Sequence, residues 1–133
     1  MQRLASSLDL DAHVTFHGFL PTDRVAEFLS HAHLHVVSSR HEAAGVVTLE
    51  AAAANVATVG TAVGYIADGA PDRAVAVPIG DPEALADAAL SLLHDPARRS
   101  RFATAARAWA LAHDADWSAD RFDRLYRELA GRS

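Results

Sequence analysis

Short runs of β-branched and apolar residues alternate with helix-forming stretches from residue 13 onward, and this alternation constrains the fold more than any other feature. "HVTFHGF", residues 13–19, reads as a short strand stopped at Gly18. "PTDRVAEFLSHA" then sets Val25, Phe28 and Leu29 at helical spacing, with Thr22 or Asp23 as the expected cap. The next strand is "HLHVVSS". "GVVTLEAAAAN" is helix-forming and stops at Asn55, one of the few non-glycine residues that tolerates a left-handed terminus. "VATVGT" is a third strand, and a short helical turn around "VGYIADG" leads to a fourth, "RAVAVPI". "GDPEALADAALSLLHD" opens a helix with an Asp81 cap and Pro82 at its first position. Two more helices follow, "PARRSRFATAARAWALAH" and "SADRFDRLYRELAG", the latter expected to be capped by Ser118 and to carry Phe122, Leu125, Tyr126 and Leu129 on one face. The pattern predicts one α/β domain over residues 1–133, a Rossmann-like parallel sheet with helices on both faces. In such sheets ligands gather at the carboxyl ends of the strands, and residues 38–46 form one of those loops.

Composition narrows the function. Half of the 133 residues are hydrophobic, enough for a sizeable core. A net charge of −5 leaves no broad cationic surface, so no nucleic-acid or anionic-lipid partner is expected. All twelve basic residues are Arg, and the lack of Lys excludes chemistry that needs an amine. The lack of Cys excludes thiol catalysis, disulfides and thiolate zinc sites. No integral membrane segment is expected, because no apolar run is long enough, and residues 1–12 lack the hydrophobic core of a signal peptide. The expectation is a soluble cytoplasmic protein that handles a neutral or phosphate-bearing small molecule.

Residues 38–64, "SSRHEAAGVVTLEAAAANVATVGTAVG", resist a purely structural explanation, because an apolar segment holds two acids, Glu42 and Glu50, around Gly45. A helix opening near Gly45 leaves its first amide N–H groups without intrahelical partners, and its dipole favours negative charge, so a phosphate can dock there. Glu50 falls about 7 to 8 Å further along the axis. An ionised carboxylate at that distance can accept both hydroxyls of a ribose diol. On spacing alone, a surface acid on the helix and an acid favoured by its N-terminus explain the pair equally well.

Ser39, Glu42, Gly45, Val47, Leu49, Glu50, Ala51 and Ala53, followed by Val59, Thr61, Val63 and Gly64, resemble the donor-site motif of family-four retaining glycosyltransferases of the GT-B fold. "VTFHGFLP" before this core, and "GDPEALADAALSLLHDP" and "DWSADRFDRLYREL" after it, are weaker matches in the right order, so the resemblance covers nearly the whole chain. It implies the C-terminal half of such an enzyme, binding a nucleotide-diphosphate sugar as substrate and using no cofactor or metal. It assigns catalysis to Glu42, against the sugar ring, and donor binding to Ser39, Ala43, Ala44, Gly45, Val46, Glu50, Gly18 and Gly64. "GFLP", residues 18–21, would lie near the base, and "VGYIADG" would offer backbone amides to the sugar or phosphate. Arg40 is a candidate cation for the departing diphosphate, or else a solvated loop residue.

The chain departs from the family pattern at Ala43 and Ala44, at Asn55, Val56 and Ala57, and at Tyr65, where a second Gly is usual and a Tyr would narrow the sugar–phosphate site. The N-terminal acceptor domain, the first strand region and the Lys that grips the diphosphate are all expected to be absent. The resemblance therefore implies a hexosyl-type transferase whose isolated chain has little activity and whose acceptor is held by a partner domain. The alternatives are a non-catalytic nucleotide-sugar-binding or interaction module and one half of a split enzyme. A paired-carboxylate hydrolase needs both acids on one cleft. A metal on His31, His33 and His35 lacks an acid in register, and a phosphoacceptor receiver domain lacks its Lys. Trp109, Phe122 and Tyr126 read as packing residues rather than a stacking platform.

Overall fold

The computed structural model describes residues 1–131. Three parallel strands, β1 (His35–Val37), β2 (Thr58–Thr61) and β3 (Ala74–Val77), form a sheet in that order. Val36 pairs with Val59, and Val59 in turn with Val75. Among the described residues seven helices accompany the sheet: α1 (Gln2–Ser7), α2 (Thr22–His31), α3 (Val46–Ala53), α4 (Gly64–Gly69), α5 (Pro82–His94), α6 (Pro96–Ala112) and α7 (Ala115–Ala130). All four residues of β2 are buried. Successive strand side chains point to opposite faces, so helices must cover both sides of the sheet. Ala57 and Val59 pack with Leu92 of α5 and Phe102 and Ala103 of α6 in one core cluster, while Leu29, Ala51 and Val56 join α2 to α3 in another.

The helix boundaries follow from local chemistry. The Asp81 and Asp95 carboxylates accept from the Ala84 and Arg98 amides at 2.9 Å, and a proline opens each of these helices. Asn55 takes a positive φ of 60° just after α3. Its N–H donates to the Ala52 carbonyl, and that of Val56 to the Ala51 carbonyl, a pair of bonds that closes the helix end as a Schellman motif.

Four local expectations change. Residues 13–19 are irregular, because no strand among the described residues lies beside them to supply a ladder, and Val14, Phe16 and Phe19 stay exposed. Neither Thr22 nor Asp23 caps α2; Pro21 occupies the cap position and its carbonyl takes the Arg24 and Val25 amides. Helix α7 begins before Ser118, because Asp114 accepts from the Trp117 amide at 2.9 Å and starts the helix there. Helix α1 falls in a stretch where the sequence marked no element.

His35, on β1, is partly buried, and its Nδ1 lies 3.2 Å from Thr58 Oγ1. Burial lowers its pKa below the ordinary value, because the cationic form loses its hydration. Above the unfolded-state pKa both states are neutral and the full stability is present. Below it the unfolded chain takes up the proton first, so stability declines as pH falls toward and through the folded-state pKa. Urea midpoints should therefore drop between pH 7.5 and pH 5.5, and His35→Gln should make that decline shallower.

Candidate functional site

The loops leaving β1 and β2 meet beyond the carboxyl ends of their strands. Ser39 Oγ donates to Glu42 Oε1 at 2.8 Å, and Thr61 Oγ1 donates to the Ser39 carbonyl. At the far end of the first loop, the Tyr65 amide donates to the Ala44 carbonyl at 3.3 Å. Gly64 sits in this joint with a φ of 46°, and a Cβ there would fall 2.9 Å from the Ala44 carbonyl oxygen and 3.3 Å from Glu42 Cβ. Both the conformation and the space require glycine at that position.

Gly45 is the N-cap of α3 in the left-handed region, and no side chain caps the first turn. The Thr48 amide turns back to the Gly45 carbonyl at 2.8 Å, which leaves the Val46 and Val47 amides to solvent or a ligand, at the positive end of the helix dipole. The Glu42 side chain folds back over this opening, with Cγ and Oε2 both 3.9 Å from where a Cβ on Gly45 would stand. Glu50 projects from the next turn, half-buried. The two ion pairs among the described residues join Arg24 to Glu27 and Asp123 to Arg127, so none of the described cations neutralises Glu42 or Glu50. Arg40 stands exposed in the loop without an ion pair among the described residues.

Of the residues singled out by sequence, Ser39, Glu42, Ala44, Gly45 and Gly64 come together as one cluster, with Ala43 and Val46 exposed beside it. Glu50 lies on the same helix but touches none of the cluster through a side-chain hydrogen bond. Gly18 has a positive φ of 65° in an exposed turn, and nothing lies within 4 Å of where its Cβ would stand. Tyr65 does not narrow the cluster. Its ring lies 5.9 Å from that of Trp109, in a recess of about 70 Å³ also lined by Thr48, Leu49, Arg73 and Ala106. Of the amides expected from "VGYIADG", that of Tyr65 is already engaged by Ala44. His33 stands outside β1 and exposed, and no group of three His, Asp or Glu side chains among the described residues could hold a metal.

Sequence reasoning missed what stitches the two loops together. Thr61 stood within the motif without a role, and Gly60 beside it drew no attention, although a glycine inside a strand pattern marks a close backbone approach.

Residues 1–109 match the family model described as "Glycosyl transferases group 1". Over 121 residues the chain is 34% identical to an α-maltose-1-phosphate synthase from Mycolicibacterium smegmatis, covering 84% of this chain and 31% of that protein. A sucrose-phosphate synthase from Thermosynechococcus elongatus superimposes with a TM-score of 0.87 at 30% identity, over 99% of this chain and 34% of that one. The C-terminal domain of a glycosyl transferase group 1 family protein from Francisella tularensis shares the fold, with a TM-score of 0.71 at 20% identity over 84% of this chain and 58% of that one. The chain thus spans about a third of the length of the first two relatives.

Proposed function

The chain belongs to the group 1 glycosyl transferases and has the α/β fold of a C-terminal GT-B domain, and from that premise we propose that it is the donor-holding half of a retaining, hexosyl-type glycosyltransferase. The observation that carries this reading is the Ser39–Glu42 pair held over the uncapped start of α3, with Glu50 on the same helix and without an ion-pair partner among the described residues. The α3 amides would receive the diphosphate and Glu50 the ribose hydroxyls. Glu42, with Oε1 already oriented by Ser39, would face the sugar ring, where positive charge develops as the leaving group departs. Fixed donors aimed at the leaving group stabilise its charge without reorganising, the kind of effect that often dominates catalysis. The scheme needs no metal or organic cofactor, because helix amides meet the phosphate.

Two relatives are named as synthases of phosphorylated saccharides, which supports glycosyl transfer as the chemistry. Among the described residues no helix is long and apolar enough to cross a membrane. A cytoplasmic location, where nucleotide sugars are made, suits the donor. The acceptor would be bound by a further domain, on this or another polypeptide. Helix α7 favours such an association, since it buries no residue and leaves Phe122, Leu125, Tyr126 and Leu129 exposed along one face. The same face would serve a non-catalytic interaction module or one half of a split enzyme. Size-exclusion chromatography with and without a candidate acceptor domain tests the association.

The donor reading is tested by titrating the chain with UDP, GDP and ADP while following its amide resonances. Millimolar nucleotide should shift residues 39–50 as a contiguous set; no shift in that segment with any of the three would overturn the reading.

A further inference from the structure

We propose that Thr61 is a positioning residue for the donor loop, acting through the Ser39 carbonyl to set where Ser39 holds Glu42. Its functional consequence rests on the donor-half reading, while the contacts behind it do not. Thr61 ends β2, the central strand, where it pairs with Val77, and the next amide, Ala62 N–H, donates to the Val77 carbonyl at 2.9 Å. The hydroxyl is thus projected from a backbone fixed by the sheet. A β-branched side chain has few χ1 states, so this donor is also fixed in direction.

Ser39 lies two residues past the end of β1, where the chain has left the ladder. Its carbonyl accepts from Thr61 and its hydroxyl donates to Glu42 Oε1. One residue therefore joins a buried anchor to an exposed carboxylate. Thr61 is 5% exposed in a strand that is buried throughout. Valine has nearly the same shape, shares threonine's strand preference and has no hydroxyl to desolvate, so packing alone gives no reason for threonine there. The hydrogen bond to Ser39 supplies the reason.

The test compares Thr61→Val, which removes only the donor, with Thr61→Ser, which keeps it. Nucleoside diphosphate affinity is measured by calorimetry, using whichever of UDP, GDP or ADP binds the parent chain most tightly, and thermal melts read folding separately. Thr61→Val should weaken binding about five-fold, the change expected for one neutral hydrogen bond. It should also move the Ser39 to Ala44 amide resonances in the unliganded chain. Thr61→Ser should restore both, even though it loses a methyl group from the core. Unchanged affinity and unmoved loop amides in Thr61→Val would overturn the proposal, as would a Thr61→Ser chain no better than Thr61→Val. If the parent chain binds none of the nucleotides, the donor reading fails by itself. The loop amides of the two variants then decide whether Thr61 sets the loop: displacement in one and recovery in the other supports it, and no displacement refutes it.

Discussion

Gly60→Ala should destabilise the domain by about 3 kcal/mol, at the upper end for overpacking a close-packed core. The added Cβ would lie 2.6 Å from the Val37 carbonyl oxygen, 2.7 Å from Ile66 Cδ1 and 3.0 Å from Val37 Cβ. The Ile66 methyl is the end of a flexible side chain and can rotate away. The Val37 carbonyl belongs to the neighbouring strand, which pairs with β2 in register, so relief there requires β1 to move. Moving β1 displaces the start of the loop that carries Ser39 and Glu42. A thermal midpoint about 12 °C lower is the expected reading, at about 4 °C per kcal/mol for a domain of this size. A midpoint within about 2 °C of the parent would show that the strands have slack at this crossing.

The second large effect concerns binding. Glu50→Ala should weaken nucleoside diphosphate affinity about 100-fold, the loss expected when one carboxylate gives up two charge-assisted hydrogen bonds to a ribose diol. Glu50→Gln should lose about ten-fold, since the amide keeps a neutral acceptor. Neither change should cost much stability, because Glu50 is only half-buried and has no ion-pair partner among the described residues. A diphosphate lacking both ribose hydroxyls supplies the control, closing a double-mutant cycle between side chain and ligand. Parent and variant should bind it alike. Equal affinity of Glu50→Ala and the parent for the ordinary ribonucleotide would remove Glu50 from the donor site.

The sheet and most of its helices were legible in the sequence because they rest on local signals. Asp81 with Pro82 announces α5, Asn55 closes α3, and the apolar runs at 35–37, 58–61 and 74–77 lie inside the strands expected there. Residues 13–19 misled because β-branched composition describes a tendency that only a neighbouring strand can satisfy. Helix α7 misled for a different reason: Asp114 and Ser118 are both good caps, and only the Asp114 carboxylate reaches an amide three residues on. At the candidate site, the identity of the residues could be read, but the joint between the loops could not. The contacts of Thr61 with Ser39, and of Gly64 and Tyr65 with Ala44, span about twenty residues of chain and depend on strand register, which single-residue preferences do not encode.

Helix α3, which carries Glu50, packs on α6, and where the two helices line a common recess Ala52 and Ala106 each present a single methyl group. Alanine has no side-chain rotamers, so neither of these two side chains can rearrange to absorb a misfit. A side chain at Ala106 too large for the recess of about 70 Å³ would press on α3 and carry the Glu50 carboxylate with it. The separation between the α3 amides and the Glu50 carboxylate, the groups proposed to meet phosphate and ribose, is fixed by the pitch of one helix. Where that measuring stick lies relative to the sheet depends on α2 on one side and, on the other, on a methyl group about fifty residues away in sequence.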